Sequence, residues 1–110
     1  MYKKGDIILV PFPFTDLSSS KVRPAVIVSE DNVNGDDIIV VFVSSRQNEH
    51  LRKHDILIKK SEKNGLKTDS IIKTGKIATL EKRIILGEIG AMDARLLQEI
   101  DTKFRLLFGL

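Results

Sequence analysis

Near the C-terminal end, Leu96, Leu97, Ile100, Phe104, Leu107 and Phe108 recur at helical spacing, with Arg95, Gln98, Glu99, Asp101, Thr102 and Arg105 opposite them. This stripe is the strongest constraint on the fold, because an amphipathic helix must bury its apolar side against another element. Asp93 is placed to cap the first turn, Met92 to staple onto Leu97, and Gly109 to stop the helix. Glu99 with Lys103 and Asp101 with Arg105 stand at the spacing of supporting ion pairs. The polar side balances its charges, so the stripe reads as core packing and not as a membrane-surface helix.

What precedes the helix reads as short strands for it to cover. Ile7 to Val10 is apolar and ends at Pro11 and Pro13. Residues 11–22 are polar and Ser-rich and read as a long loop. Arg23 to Ser29 reads as a second strand, and Asn34-Gly35 as a hairpin turn. Ile38 to Ser45 is apolar on both faces, which predicts a central strand. Asp55 to Lys60 alternates, with Ile56 and Ile58 on one face, and Asn64-Gly65 turns the chain again. Ser70 to Lys73 and Ile77 to Leu80 read as two strands about a Thr74-Gly75 turn, and 84–91 as mostly irregular. Short strands followed by one helix predict a mainly β fold: a small antiparallel sheet curled into a partial barrel, with the helix over one opening. At 110 residues the chain is expected to form one domain spanning 1–110.

Several classes of chemistry are excluded by residue type. There is no cysteine, hence no disulfide, thiolate metal site or cysteine nucleophile. No Gly-rich phosphate loop, HExxH motif or metal-spaced carboxylate cluster occurs. The longest apolar run, Ile38 to Val43, is too short to cross a membrane as a helix. His50 and His54, four apart in a loop, read as solvated side chains and not as a metal pair.

Charge distribution points elsewhere. The chain carries a net +3. The window 46–60 holds Arg46, Arg52, Lys53, Lys59 and Lys60 against Glu49 and Asp55, a surplus equal to that of the whole chain. Such a window suits a nucleic-acid backbone, and equally an ordinary solvated strand edge. Arg23 opens an apolar strand after a long loop, where a guanidinium can fork onto phosphate oxygens or pair with Asp16 or Glu30. Ser44 and Ser45 end the central strand beside Arg46 and Gln47, a donor-rich rim or a local turn. RNA carries its own 2′-hydroxyl nucleophile, so a positive rim with one arginine at the scissile phosphate would suffice for cleavage.

In order and spacing, GDIILVPFPF, KVRPAVIVS, IIVVFVSSR, GLKTDSIIK, KIATLEKR and the closing LLQEIDTKFRLLFGL resemble the MazF/PemK (Kid) toxins over essentially the whole chain. The resemblance implies an SH3-like antiparallel barrel with a C-terminal helix, assembled as a homodimer in the cytoplasm. It implies a toxin–antitoxin endoribonuclease that cleaves single-stranded RNA without metal or cofactor, leaving a 2′,3′-cyclic phosphate. Its partner would be an acidic, partly disordered antitoxin, with no membrane involved. The family's key arginine matches Arg23, and Ser44 stands where a threonine is usual. Lys21, Pro24, Ser45, Arg46 and Gln47 would line the RNA path, beside a loop at 13–21 that gates it. The alternative is a non-catalytic PemK- or CcdB-like protein that binds nucleic acid or DNA gyrase, the latter through the helix end near Phe108.

Overall fold

The computed structural model describes residues 2–12, 21–30, 35–45 and 50–110. Six strands, β1 (Asp6–Phe12), β2 (Lys21–Ile27), β3 (Asp37–Ser44), β4 (Asp55–Ile58), β5 (Ser70–Glu81) and β6 (Gly87–Ala91), precede one helix, α1 (Ala94–Phe108). They form a single sheet in the order β4-β5-β3-β2-β1-β6, with antiparallel pairing throughout the described residues. The predicted mainly β fold with a C-terminal helix is the observed one. β3 is central because residues buried on both faces need sheet partners on both sides and cover above and below.

The sheet buries two apolar faces. On one, Ile7, Val26, Val41, Val43 and Ile72 meet Met92 and Ile100, with Leu96, Leu97 and Phe104 of α1 packed against them. On the other, Ile8, Val10, Ala25, Ile27 and Val40 lie under Tyr2, Ile84 and Ile85. The helix begins as its caps predict. Asp93 accepts a hydrogen bond from the Leu96 amide (2.9 Å), and Gly109 ends the helix in the left-handed region at φ 69°. The stripe is not core throughout: Phe108 is more than half exposed. Asp101 stands 3.8 Å from Lys4, and Lys103 donates to the Lys53 carbonyl, so both residues meet groups off the helix.

Three segments differ from expectation. β1 runs past Val10 through Pro11. The Leu86 amide donates to the Leu9 carbonyl, so Leu9, and by alternation Pro11, face the β6 side. Pairing with β6 ends at Leu9, so Pro11 forfeits no bond there. Thr74-Gly75 does not reverse the chain. Val41 pairs with Ile77 and Phe42 with Lys73, which leaves residues 74–76 as a bulge in one continuous β5 that spans the whole of β3. Buried Thr74 fixes the bulge by donating to the His54 carbonyl. The 84–91 stretch resolves into a 3-10 turn, Lys82–Ile84, and β6.

The sheet curls because its two ends meet. The Ala91 amide of β6 donates to the Lys63 carbonyl (2.9 Å), in the segment that follows β4. At this seam two backbones touch where side chains would not fit. A Cβ on Gly65 would lie 1.9 Å from the Ile89 carbonyl oxygen, and one on Gly90 would lie 2.4 Å from the Lys63 oxygen. Buried Asn64 holds the turn: its side-chain oxygen accepts from the Ser61 and Leu66 amides, and its Nδ2 donates to the Lys59 carbonyl. The result is a half-barrel with α1 on one face. Among the described residues no helix is long and apolar enough to cross a membrane.

Gly90→Ala is expected to cost about 1–3 kcal/mol by forcing the seam apart, and Ile100→Ala about 2–5 kcal/mol by opening a cavity under the helix. Urea unfolding of each variant measures both. A Gly90→Ala protein as stable as the parent would show that the seam opens freely.

Candidate active site

The site begins with a proline. The Val28 amide donates to the Ile39 carbonyl, so along β2 the backbones of Val28, Val26 and residue 24 face β3. Residue 24 is proline and has no N–H to offer. The β2–β3 ladder accordingly covers only Ala25↔Phe42 to Ile27↔Val40, although β2 starts at Lys21 and β3 ends at Ser44. The two strands part in register at Pro24, and a cleft opens between their ends.

Alternation then sorts the side chains. Arg23 is in phase with Ala25, and Ser44 with Phe42, and Ala25 and Phe42 are cross-strand partners. Arg23 and Ser44 therefore project to the same face of the sheet, one step beyond that pair on either side of the parting. Ser45 falls in the opposite phase, with Val43. A cavity of about 430 Å³ occupies the gap, and its lining includes Val22, Arg23, Pro24 and Ser45 but not Ser44. Arg23 is half-buried, and it makes no ion pair among the described residues, so the predicted alternative pairing with Glu30 is not formed. Asp16 lies outside the described residues.

The far wall was not legible in the residue pattern. Lys67, Thr68 and Ser70 line the same cavity, delivered by the Asn64-Gly65 turn and its seam with β6. Ser70 donates to the Thr68 carbonyl, and Asp69 accepts from the Lys60 amide, which ties this rim down. The signals available were a polar Lys67-Thr68-Asp69 run between the Asn64-Gly65 turn and the strand beginning at Ser70, and the place of that run in the GLKTDSIIK segment of the resemblance. The lining residues Val22, Pro24 and Ser45 alternate with Arg23 and Ser44, so the cavity opens on the face opposite to those two side chains, although Arg23 borders it. Lys67 supplies an ammonium and Ser45, Thr68 and Ser70 supply hydroxyls, with no carboxylate among the described lining residues, so the cavity is positive and can hold an anion at several points.

The remaining predicted residues distribute as follows. Lys21 is exposed at the start of β2, opposite Phe12. Arg46, Gln47 and most of the 13–21 loop lie outside the described residues. His54 is not a solvated loop side chain: it is half-buried, and its Nδ1 is buried with no hydrogen-bond partner among the described residues. No cluster of three metal-ligating side chains occurs among the described residues. The Glu81 carboxyl is held below its ordinary value by a hydrogen bond from Arg83, but that exposed pair sits at the opposite end of β5 and plays no part in the cleft.

If the missing donor keeps the strands apart, Pro24→Ala supplies it and lets the ladder zip toward Ser44. The new amide at position 24 is then expected to resist hydrogen exchange like its neighbours in β2. Exchange at the solvent rate would show that something other than the proline splays the strands.

Known structures share this architecture. A MazE–MazF complex from Deinococcus radiodurans aligns with a TM-score of 0.79 at 19% identity, covering 99% of this chain and 97% of that one. A MazF from the same organism gives 0.77 at 18%, covering 99% and 97%. An endoribonuclease in complex with its cognate antitoxin, from a Mycobacterial species, gives 0.78 at 18%, covering 100% and 97%. At such identities the likeness speaks for the fold alone. The sequence profile of the PemK-like, MazF-like toxins of type II toxin–antitoxin systems matches residues 3–108. Nearly the whole chain, from before the first strand to the last turn of the helix, thus carries that pattern, and the protein belongs to the PemK-like, MazF-like toxin family.

Proposed function

We propose that this chain is a metal-independent, sequence-selective endoribonuclease toxin acting on single-stranded RNA. The observation that carries the reading is the shared phase of Arg23 and Ser44 where β2 and β3 part, with a positive cavity on the other face of the same parting. In the proposed step the 2′-oxygen of the substrate attacks the adjacent phosphorus and the P–O5′ bond breaks. A 2′,3′-cyclic phosphate remains on one fragment and a 5′-hydroxyl on the other. The proton lost from the 2′-hydroxyl is balanced by the one gained at the leaving 5′-oxygen. Arg23 stabilises the extra negative charge of the pentacoordinate phosphorane, where a fixed guanidinium acts most strongly. Ser44 donates to a nonbridging oxygen, and Ser45, on the cavity wall, is the hydroxyl next in line. Lys21, Pro24, Arg46 and Gln47 belong to the path of the flanking nucleotides, with Lys67 and Thr68 added by the geometry.

The solved neighbours include toxins captured with MazE or a cognate antitoxin. By the same reading this chain is a cytoplasmic homodimer held in check by an acidic, partly disordered antitoxin. Such a partner would compete for the positive cleft through its charge. A second reading has its own observation: Leu106, Phe108 and Leu110 stand exposed at the helix end. A non-catalytic protein that binds its target there, without cutting RNA, would use that end and leave the cleft idle.

Incubation of the purified protein with a long RNA in EDTA, followed by mapping of the ends, separates the two readings. Discrete cuts ending in cyclic phosphate are expected. Arg23→Ala is expected to lower the cleavage rate by about 10²–10³-fold with an unchanged melting curve. Comparing Ser44→Ala with Ser45→Ala shows which hydroxyl serves the phosphate. Undiminished cleavage by Arg23→Ala would remove the mechanism, and no cleavage by the parent protein would favour the binder.

A further inference from the structure

A second cavity, of about 620 Å³, lies outside the cleft, among the loop entering β4, the β5 bulge and the last turn of α1. Its walls carry His50, Arg52 and His54 from the loop, Lys73 and Lys76 from β5, and apolar Leu107 from the helix. One carboxylate, Asp55, also lines it, and that group is engaged: its Oδ2 stands 3.1 Å from Lys73 Nζ and accepts the Arg52 amide at 2.8 Å. The side chains of Arg52 and Lys76 have no carboxylate partner among the described residues. His54 adds a buried Nδ1 with no hydrogen-bond partner among the described residues. A buried polar atom left unpaired is costly, and in a cavity with two spare cations the partner that answers all three is an anion bearing several oxygens.

Strand register relates this cavity to Arg23 and Ser44. Lys73 pairs with Phe42, which pairs with Ala25, so Lys73 shares the face that carries Ser44 and Arg23. Two strand spacings separate Lys73 from Ala25, roughly 10 Å, a span that one nucleic-acid strand covers in a few nucleotides. We propose that this cavity seats a backbone phosphate of the RNA outside the scissile step, held by Arg52 and Lys76 with His54 Nδ1 as a further donor. It would act as an anchor that sets which stretch of the strand lies over Arg23. The inference rests on the RNA-cleaving reading and adds to it a site that neither the basic window nor the cleft defined. The bulge at 74–76 has a purpose here, because it carries Lys76 out of the ladder and into the cavity wall.

The test uses the full chain and fluorescent 2′-O-methyl oligonucleotides of graded length, which keep the phosphates but lack the attacking hydroxyl. Binding is followed by anisotropy across a salt series, for the parent and for an Arg52→Gln/Lys76→Gln variant. Loss of this one phosphate contact is expected to flatten the slope of log affinity against log salt by about 0.7. Affinity for long oligonucleotides should fall toward that for short ones. With cleavable RNA the variant should show a raised KM and an unchanged kcat. Equal slope and equal KM, in a protein that does cut RNA, would overturn the anchor and leave the cleavage reading standing. A fall in kcat at saturation would also overturn it, by placing these cations in the chemistry. Weaker binding of an acidic peptide such as polyglutamate, with oligonucleotide binding untouched, would assign the cavity to a protein partner instead. A parent protein that neither binds the oligonucleotides nor cuts RNA would sink the anchor together with the reading beneath it.

Discussion

A single absent hydrogen-bond donor organises the working end of this molecule. Residue 24 faces β3, and as a proline it gives that strand nothing to accept. Had the ladder continued, the ends of β2 and β3 would lie side by side, with Val22 and Ser45 packed into ordinary sheet. Instead the strands part while still held in register by the pairs from Ala25 to Ile27. The opening therefore has rigid walls on both sides. Arg23 gains room to meet an anion while its backbone remains fixed by pairing with Val10. On the proposed reading this suits Arg23, because electrostatic catalysis needs charge placed on a stiff frame so that nothing has to reorganise as the transition state forms.

The opposite wall depends on a different constraint. The segment after β4 is pressed onto β6 so closely that Gly65 and Gly90 leave no space for a methyl group. This contact curls the sheet, and in curling it swings Lys67, Thr68 and Ser70 over the gap left by Pro24. The two devices are complementary. One removes contacts to open the sheet, and the other adds backbone contacts to close a rim above the opening. Asn64 makes the second affordable by satisfying three backbone groups that would otherwise be stranded in a buried turn.

Charge follows the same division of labour. The cavity at the parting carries Lys67 with hydroxyls and no described carboxylate, and Arg23 stands beside it with its side chain in the opposite phase to the cavity's strand residues. The β4–β5 end also holds cations, but there Asp55 takes up Lys73 and pins the entering loop through the Arg52 amide. Half-buried Lys73 is thereby kept in place as part of the scaffold, while Arg52 and Lys76 keep their charge for an outside partner. This end of the sheet thus joins Arg52 of the basic window to Lys73 and Lys76 of β5, which lie outside that window.

Much of the architecture was readable from residue order. Period-2 and period-3.6 patterns, the Asp93 and Gly109 caps, and the two-faced apolar run of β3 all depend on local geometry, so they survive into the fold unchanged. The resemblance carried by the ordered segments directed attention to Arg23 and Ser44, and alternation alone puts each on a definite face of its strand. Register is another matter. Whether residues 23 and 44 share a face depends on which residue of β2 meets which residue of β3, and a slip by one would have set them apart. Nor could local pattern show that Thr74-Gly75 bulges, since a turn and a bulge use the same residues, and only the need to pair with all of β3 decides between them. His54 reads in sequence as a solvated side chain, and Lys67, Thr68 and Lys76 stand in segments that carry the resemblance without any local pattern that marks them as site residues. They became candidates only when the curl of the sheet and the seam at Gly65 and Gly90 carried them to cavity walls, through contacts between residues far apart in the chain.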